Sequence, residues 1–333
     1  MIISRAPVRI TLGGGGTDLA SYYSKYEGSL IAAAIDKYTF VTAHPRFNKD
    51  IRLKYSDFEQ VEKISDIKHN IFRESLKLLK IKPGIELTSL ADIPGRSGMG
   101  TSGSFTVALL NALHSYKKEF VSQEQLAEEA CKIEIDILRE PIGKQDQYMS
   151  AFGGLTHLNF AKNGKVTVTS LNISEETRDE LENNIMIFYT GITRYASKIL
   201  KEQNDKSKKD HTKTIDSLHE IKEIGIKTKK ALEQGDSDKL GEYLNVHWET
   251  KKRLGKGITN KNIDDSYKTA LRHGALGGKI MGAGGGGFFM FYHNGNNKEK
   301  TVFTKKMGKQ GLKKIRFNFD FDGAKIILNM KKF

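Results

Sequence analysis

The segment from Pro94 to Ser104 constrains the fold most, because four glycines and four serine or threonine residues occupy its eleven positions. Glycines let the backbone approach a ligand closely. The apolar stretch that follows, from Phe105 to Leu113, has helical spacing and supplies a helix N-terminus. Backbone amides and the positive end of a helix dipole then meet at one point, which favours phosphate binding. We name residues 94–104 the phosphate loop; a flexible surface loop is the alternative interpretation.

Two nucleotide-binding motifs nearly match the phosphate loop. Gly95 to Ser102 follows the frame G-x-x-x-x-G-K-[ST], but Thr101 stands where that motif requires lysine, which excludes a P-loop. The glycines at positions 98, 100 and 103 spell G-x-G-x-x-G. A dinucleotide-binding fold needs that turn directly after a strand, whereas residues 91–94 separate it from the predicted strand at 85–90. The loop is therefore predicted to bind phosphate in another way.

The chain of 333 residues is long enough for two domains, and its mixed helical and strand patterns predict an α+β fold. The polar stretch 172–183 marks the predicted boundary, which gives an N-terminal domain over 1–180 and a C-terminal domain over 181–333. Four long amphipathic helices are predicted near 195–206, 212–234, 236–253 and 262–272.

The net charge of +14 raises the hypothesis of a non-catalytic, basic nucleic-acid-binding protein. Eleven lysines and arginines against three acidic residues after position 297 account for much of that excess. They are spread among helical and strand patterns, which is typical of a solvated face, so no nucleic-acid partner is predicted. The same excess would attract phosphorylated substrates.

The cysteine content and the lengths of the apolar runs indicate the compartment in which the protein is expected. Cys131 is the single cysteine and lies on a helical apolar stripe, as expected of a buried thiol in a reducing compartment. The first twelve residues lack the apolar core of a signal peptide, and no apolar run reaches 18 residues. We expect a cytoplasmic protein without membrane partners.

Two carboxylates stand out after the phosphate loop. A helix is predicted from Ser122 to Leu138, and Glu134 lies on its apolar stripe. A buried carboxylate is costly unless it is paired or binds metal, so Glu134 is a metal ligand or half of a buried ion pair. Asp146 follows a helix break and is either an N-cap or a catalytic base; Lys144 beside it would keep it ionised.

A second glycine-rich segment ends the first predicted strand. Four consecutive glycines, at positions 13–16, leave no side chain in the way of a ligand, and Thr17 and Asp18 follow them. These two polar side chains would either cap the next helix or bind the hydroxyls of a polyol. We name residues 13–18 the first glycine loop.

Three motifs together resemble those of the GHMP kinase superfamily: Pro7 to Asp18, the phosphate loop, and Lys279 to Gly287. The resemblance spans most of the chain. It implies a ribosomal-protein-like N-terminal domain with a left-handed β-α-β crossover, a ferredoxin-like C-terminal domain, and an active site between them. It also implies an ATP-dependent phosphotransferase that uses Mg²⁺ and acts on an alcohol group.

The resemblance assigns roles to individual residues. The ATP phosphates are expected at Pro94, Gly95, Arg96, Ser97, Gly98, Met99, Gly100, Thr101, Ser102, Gly103 and Ser104, with Mg²⁺ on Ser102 and Glu134. The stretch Gly143 to Gln147 matches the family's G-x-x-D-Q and makes Asp146 the base. Arg9 would hold Asp146 ionised and stabilise charge in the transition state. The third motif, expected to support the phosphate loop, comprises Gly282, Ala283, Gly284, Gly285 and Gly286.

The substrate is expected to be a sugar phosphate. Glycines stand at positions 14–16, where sugar kinases of this superfamily commonly have a Gly-Glu-His segment. This all-glycine form resembles the branch that contains heptose 7-phosphate kinases and fucokinases. Transfer to the anomeric hydroxyl of heptose 7-phosphate is favoured, with a fucokinase as the alternative. The expected substrate residues are Gly14, Gly15, Gly16, Thr17, Asp18, Lys144 and Arg194. The candidates to hold the substrate phosphate are Arg5, Arg96, Arg139, Lys144 and Arg194.

Overall fold

The computed structural model describes residues 1–192, 196–209 and 211–330. Arg194 lies outside the described residues. The strands are β1 Ile2–Gly13, β2 Gly28–Pro45, β3 Ile51–Lys54, β4 Phe58–Val61, β5 Ile85–Ala91, β6 Leu155–Phe160, β7 Val166–Ser170, β8 Ile185–Tyr189, β9 Gly277–Ile280, β10 Phe288–Tyr292, β11 Lys313–Ile315 and β12 Lys325–Asn329. The helices are α1 Ala20–Tyr26, α2 Asn70–Leu78, α3 Thr101–Lys117, α4 Gln123–Cys131, α5 Gln145–Phe152, α6 Glu175–Asn184, α7 Ala196–Lys208, α8 Thr212–Glu233, α9 Asp238–Lys252, α10 Lys261–Arg272 and α11 Asn297–Lys309.

The larger sheet has the strand order β12-β1-β2-β5-β3-β4, and β6 and β7 extend it from β2. Its β3 and β5 run parallel, and the other pairs are antiparallel. The strand at 325–329 pairs with β1 although the sequence assigns it to a C-terminal domain over 181–333. This last described strand completes the larger sheet, whose other strands all come from residues 1–180.

The smaller sheet has the order β11-β8-β10-β9, and its adjacent strands are antiparallel. Helices α7 to α10 lie between β8 and β9 in the chain, and α11 connects β10 to β11. This order and these connections give the ferredoxin-like arrangement. The α+β expectation is confirmed, and so are the four long helices predicted in this half of the chain.

Both faces of the larger sheet are buried in its centre. On β2, the alternate residues Leu30, Ala32 and Ala34 pack into a core with α2 to α5. The residues between them, such as Ile31 and Ile35, pack into a second core that includes the smaller sheet. Two-sided burial explains why this strand has a nearly continuous apolar sequence instead of polar alternation.

The helix predicted from Ser122 to Leu138 changes its geometry halfway. It is α-helical over Gln123–Cys131 and continues as a π-helical turn over Lys132–Ile137. Leu138 N–H accordingly donates to the Ile133 carbonyl, five residues back, at 2.9 Å. Such turns are frequent at functional sites, and this one carries Glu134. Within the described part of the chain, none of the helices has the length and apolar character needed to span a membrane.

Candidate active site

The phosphate loop leads directly into α3, which begins at Thr101. Gly100 caps this helix with φ of 80°, a left-handed conformation that favours glycine. The helix starts four residues earlier than the apolar stretch predicts, so Ser102 and Gly103 lie in its first turn. The amide groups of a first turn have no partner within the helix. They are available for the phosphates of a nucleotide at the positive end of the helix dipole.

The third motif packs against the phosphate loop through the backbone. A Cβ added at Gly282 would lie 2.6 Å from the Cα of Gly98, and one added at Gly287 would lie 2.0 Å from the Ser97 carbonyl oxygen. No side chain larger than hydrogen fits at either position. The two glycine-rich segments therefore pack closely against each other. The Ser97 hydroxyl is buried and has no hydrogen-bond partner among the residues that the structure describes.

Arg9 joins the phosphate loop to Asp146. Its Nε donates to Asp146 Oδ1 at 2.7 Å and its Nη2 lies 2.5 Å from the same oxygen. Its Nη1 donates to the Gly98 carbonyl at 2.8 Å, and its backbone N–H donates to the Met99 carbonyl at 3.0 Å. The guanidinium is buried and each of its three nitrogens has a partner, so Arg9 acts as a positioning residue that fixes Asp146 relative to the loop.

Asp146 also packs directly against the N-terminus of α3. A Cβ added at Gly100 would lie 3.0 Å from the Asp146 carboxyl carbon, and one added at Gly103 would lie 2.8 Å from the Asp146 Cβ. The carboxylate is 22% exposed. A carboxylate is thus placed next to the helix end where phosphates would bind, and it retains access to the cleft.

Gly103→Ala is expected to reduce turnover on the order of 100-fold, because the new methyl group displaces Asp146 and a 1 Å misplacement of a reacting group can cost that much. Steady-state kinetics measures the effect. Gly308→Ala in α11 is the matched control, since nothing lies within 4 Å of its new Cβ and helix propensity favours alanine. Wild-type turnover in Gly103→Ala would show that the position of Asp146 is not critical.

Glu134 is buried beside the same helix end. It accepts hydrogen bonds from the Ser102 hydroxyl and from Gln147 Nε2, the latter at 2.9 Å. Burial raises the pKa of Glu134 to about 7, and the negative charge of Asp146 contributes to the same shift. Among the described residues its side-chain partners are Ser102 and Gln147 and no lysine or arginine pairs with it, which favours a metal ligand over half of a buried ion pair.

The residues around Glu134 fit a magnesium ion that is shared with nucleotide phosphates. Mg²⁺ sites of this kind use one or two carboxylates, and the phosphates and water supply the other ligands. Ser102 and Glu134 offer a hydroxyl and a carboxylate in contact, and the nearby Gln147 Oε1 is buried without a partner. No cluster of three acidic, histidine or cysteine side chains occurs in the described ranges, so the protein alone would not enclose a metal.

The first glycine loop faces Asp146 across a cleft. Asp18 is 1% exposed and accepts hydrogen bonds from the Gly16 N–H at 3.0 Å and from the Gln145 backbone and side-chain nitrogens at 3.1–3.2 Å. The Thr11 hydroxyl donates to Gln145 Oε1 at 2.7 Å. Burial raises the pKa of Asp18, and the negative charge of Asp146 contributes to the same shift. A Cβ at Gly143 would lie 1.9 Å from Asp18 Oδ2, which explains the glycine there.

Two of the expected substrate residues, Thr17 and Lys144, do not line this cleft. The Thr17 hydroxyl is buried and donates to the carbonyls of Gly14 and Ser29 at 2.8 and 3.0 Å, so it holds the loop and does not face a ligand. Lys144 Nζ donates to Glu128 Oε1 at 3.0 Å and to the Gly164 carbonyl at 2.9 Å. The expectation that Lys144 keeps Asp146 ionised is wrong, because its ammonium group is held by Glu128 and Arg9 occupies the carboxylate.

The cleft includes residues that sequence reasoning missed. The cleft is lined by Gly15, Gly16, Asp18, Asp146, Gly282 and Ala283, together with Gln203, His247, Lys251 and Lys279. The signal that could have revealed Lys279 is its position in a predicted strand of apolar and glycine residues. Gln203, His247 and Lys251 belong to amphipathic helices whose sequences do not distinguish them from other polar residues.

Comparisons with known proteins agree with this geometry. The models of the GHMP kinases N terminal domain and C terminal domain match residues 67–154 and 228–302. A D-glycero-alpha-D-manno-heptose 7-phosphate kinase of Campylobacter jejuni is 32% identical over 85% of this chain and 86% of its own length. An L-fucokinase/L-fucose-1-P guanylyltransferase of Bacteroides fragilis is 27% identical over 85% of this chain and 34% of its own.

A solved structure extends the likeness to the whole fold. The crystal structure of a D-glycero-D-manno-heptose 1-phosphate kinase from Bacteroides thetaiotaomicron superposes with a TM-score of 0.81 and 25% identity, covering 99% of this chain and 100% of that one. The sequence motifs, the order of both sheets and these similarities lead to one conclusion. The chain belongs to the GHMP kinase family and is a sugar kinase.

Proposed function

We propose that this kinase transfers the γ-phosphoryl group of ATP to the anomeric hydroxyl of D-glycero-D-manno-heptose 7-phosphate, giving the 1,7-bisphosphate for GDP-heptose biosynthesis. One observation carries the kinase chemistry: Asp146 packs against Gly100 and Gly103 at the N-terminus of α3, where Ser102 contacts Glu134. A proton acceptor, a set of free amide donors and a carboxylate for a metal therefore meet at one point.

In the proposed reaction, Asp146 accepts the proton of the C1 hydroxyl as that oxygen forms a bond to the γ-phosphorus. The bond from the γ-phosphorus to the bridging oxygen breaks, and ADP leaves. Arg9 holds the carboxylate in place through Nε and Nη2. The first-turn amides of α3 and the phosphate loop stabilise charge on the phosphoryl oxygens. Mg²⁺ held by Ser102 and Glu134 would neutralise phosphate charge.

The domain roles follow from the same placement. The N-terminal domain, residues 1–180, supplies the phosphate loop, Glu134 and Asp146, whereas the C-terminal domain, residues 181–333, supplies the third motif and the basic side of the cleft. In this proposal Asp18 orders the first glycine loop and Gln145 beside the acceptor, and Gly15 and Gly16 leave room for the sugar ring.

The names of two relatives support a heptose monophosphate as substrate. The Campylobacter protein is named for heptose 7-phosphate and the Bacteroides structure for heptose 1-phosphate. Phosphorylation of either compound at its other end gives the same 1,7-bisphosphate. We favour the 7-phosphate for this chain because that relative shares 32% identity over 85% of the chain.

A fucokinase is the second candidate, and the Bacteroides fragilis relative is the observation that favours it. A panel of heptose 7-phosphate, heptose 1-phosphate, the free heptose and L-fucose, scored by kcat/KM with ATP and Mg²⁺, separates these candidates. We expect the highest kcat/KM for heptose 7-phosphate, with the new phosphate on C1 by ³¹P NMR. A higher kcat/KM for L-fucose would show that the protein is a fucokinase. A new phosphate on C7 would show that the anomeric hydroxyl is not the acceptor.

A further inference from the structure

A group of basic side chains lines the same cleft as the first glycine loop. His247 and Lys251 come from α9 and Lys279 comes from β9, and all three line the cleft together with Asp18 and Asp146. His247 and Lys279 are 1% and 2% exposed. We name these three residues the basic cluster.

Lys279 is a buried amine without an acidic partner. Among the described residues, its nearest polar contact is His247 Nδ1, at 3.1 Å, and no carboxylate forms an ion pair with it. Burial, and then the charges of Lys251 and Arg9, lowers its pKa well below the usual range. Burial of an unpaired ammonium group is unfavourable, and an anion in the cleft would offset that cost.

His247 has an unused nitrogen. When Lys279 donates to Nδ1, the neutral ring carries its proton on Nε2. That nitrogen is buried and has no hydrogen-bond partner among the described residues. Gln203 Nε2, on α7, is also buried in the cleft lining and likewise has no partner in the part of the chain that the structure describes. Two donors in the cleft lining therefore lack acceptors within the described chain.

Lys251 completes the cluster next to the third motif. Its Nζ donates to the Gly282 carbonyl, and it is half-buried at the cleft. The charge of Arg9 acts on Lys279, so the cluster lies within electrostatic reach of the Arg9–Asp146 pair. None of the three basic residues contacts the phosphate loop in the hydrogen bonds of the described chain.

Two other basic residues expected to hold the substrate phosphate, Arg5 and Lys144, already have acidic partners. Arg5 Nη2 donates to Asp322 Oδ2 at 2.8 Å and the guanidinium lies 4.2 Å from the centre of the Tyr38 ring. Lys144 is bound to Glu128. Neither lines the cleft that contains Asp146. Among the described residues, Lys251 and Lys279 line that cleft together with Arg9, whose guanidinium is bound to Asp146.

We infer that the basic cluster of His247, Lys251 and Lys279 binds the phosphate group that the sugar substrate carries before the reaction. This inference rests on the proposed function, because it assumes a phosphorylated acceptor in the same cleft as Asp146. The sugar would lie between Asp18 and Asp146 with its existing phosphate on α9 and β9. Specificity for a sugar phosphate over a free sugar would thus come from the C-terminal domain.

Isothermal titration calorimetry without ATP tests the inference with heptose 7-phosphate and with unphosphorylated heptose. We expect Lys251→Met to weaken binding of heptose 7-phosphate about 10- to 100-fold, the usual effect of losing a charge-assisted hydrogen bond, and to change heptose binding less than about threefold. Lys252→Met is the matched control on the same helix, where Lys252 pairs with Glu249 at 2.6 Å, and both affinities should be retained. An equal loss for both sugars would overturn the inference.

Lys279→Met gives a second test, because a residue with a purely structural role would change the melting temperature and leave the affinity unchanged. We expect weaker binding of heptose 7-phosphate but a melting temperature no lower than that of the wild type, since a buried amine without a carboxylate partner is removed. A lower melting temperature with unchanged affinity would show that Lys279 only supports the fold. A loss confined to ATP binding would place the cluster on the nucleotide and overturn the inference.

Failure of the proposed substrate gives a different result. If the wild type does not phosphorylate heptose 7-phosphate, the proposed function is wrong, and the cluster is then tested with D-mannose 6-phosphate against D-mannose in the same variants. A loss in Lys251→Met that is specific to the phosphorylated sugar supports the phosphate site. Retained binding of the phosphorylated sugar in Lys251→Met excludes it.

Discussion

Asp146→Asn is expected to lower kcat by about 100- to 10,000-fold, the range that general base catalysis contributes. The amide cannot accept the proton of the sugar hydroxyl, but its oxygen can still accept the hydrogen bonds that Arg9 donates to Oδ1. The geometry of the phosphate loop is therefore retained. Single-turnover kinetics with saturating ATP and sugar phosphate measures the chemical step.

Nucleotide affinity is the control for Asp146→Asn. Binding of Mg²⁺·ATP should change little, because the carboxylate lies beside the helix end and the phosphates are held by backbone amides. A variant with the wild-type rate would exclude Asp146 as the base. A variant that loses ATP affinity to the same extent as kcat would show that Asp146 holds the nucleotide.

Glu134→Gln is expected to reduce turnover on the order of 100-fold, since it removes the only acidic side chain that contacts Ser102 in the described chain. The Mg²⁺ concentration required for half-maximal activity should rise as well. Titration of activity with Mg²⁺ at fixed ATP measures both effects. Unchanged Mg²⁺ dependence would contradict a metal-binding role for Glu134.

The same variant should be more stable than the wild type when no metal is present. The pKa of Glu134 is about 7 in the folded state, against 4.5 for the ordinary value. Ionisation therefore favours the unfolded chain, and the wild type loses stability as the pH rises from 4.5 to above 7. The difference corresponds to about 3 kcal/mol at pH 8 and disappears below pH 4.5. Urea unfolding in EDTA at both pH values tests this sign; a less stable variant at pH 8 would contradict it.

Local patterns in the sequence were sufficient for much of the fold and for part of the site. Apolar periodicity predicted the long helices of the second half because each of them buries one face. Glu134 was found as a carboxylate on an apolar stripe. The π-helical turn that carries it was not predicted, because it depends on a shift in backbone hydrogen bonds that apolar spacing does not specify.

The remaining features of the site could not be predicted from the sequence, because they depend on contacts between distant segments of the chain. The neighbour of Asp146 in sequence, Lys144, turns away to Glu128, and Arg9 approaches from β1, which is 137 residues away in the chain. The basic cluster combines α9 with β9, and nothing in either local pattern indicates their contact. Fold-level pairing decides which charges meet, so adjacency in sequence is a poor guide to electrostatic partners.

The pairing of β12 with β1 has a consequence for biosynthesis. Ile2 pairs with Asn329, so this edge of β1 has no partner until the ribosome has made β12, more than 300 residues later in the chain. At 5–20 residues per second, that delay is roughly 20 to 60 s. An unpaired, apolar strand edge is a site for intermolecular association during this interval. Yield of the native enzyme should therefore depend on translation speed and on chaperones that shield nascent N-termini.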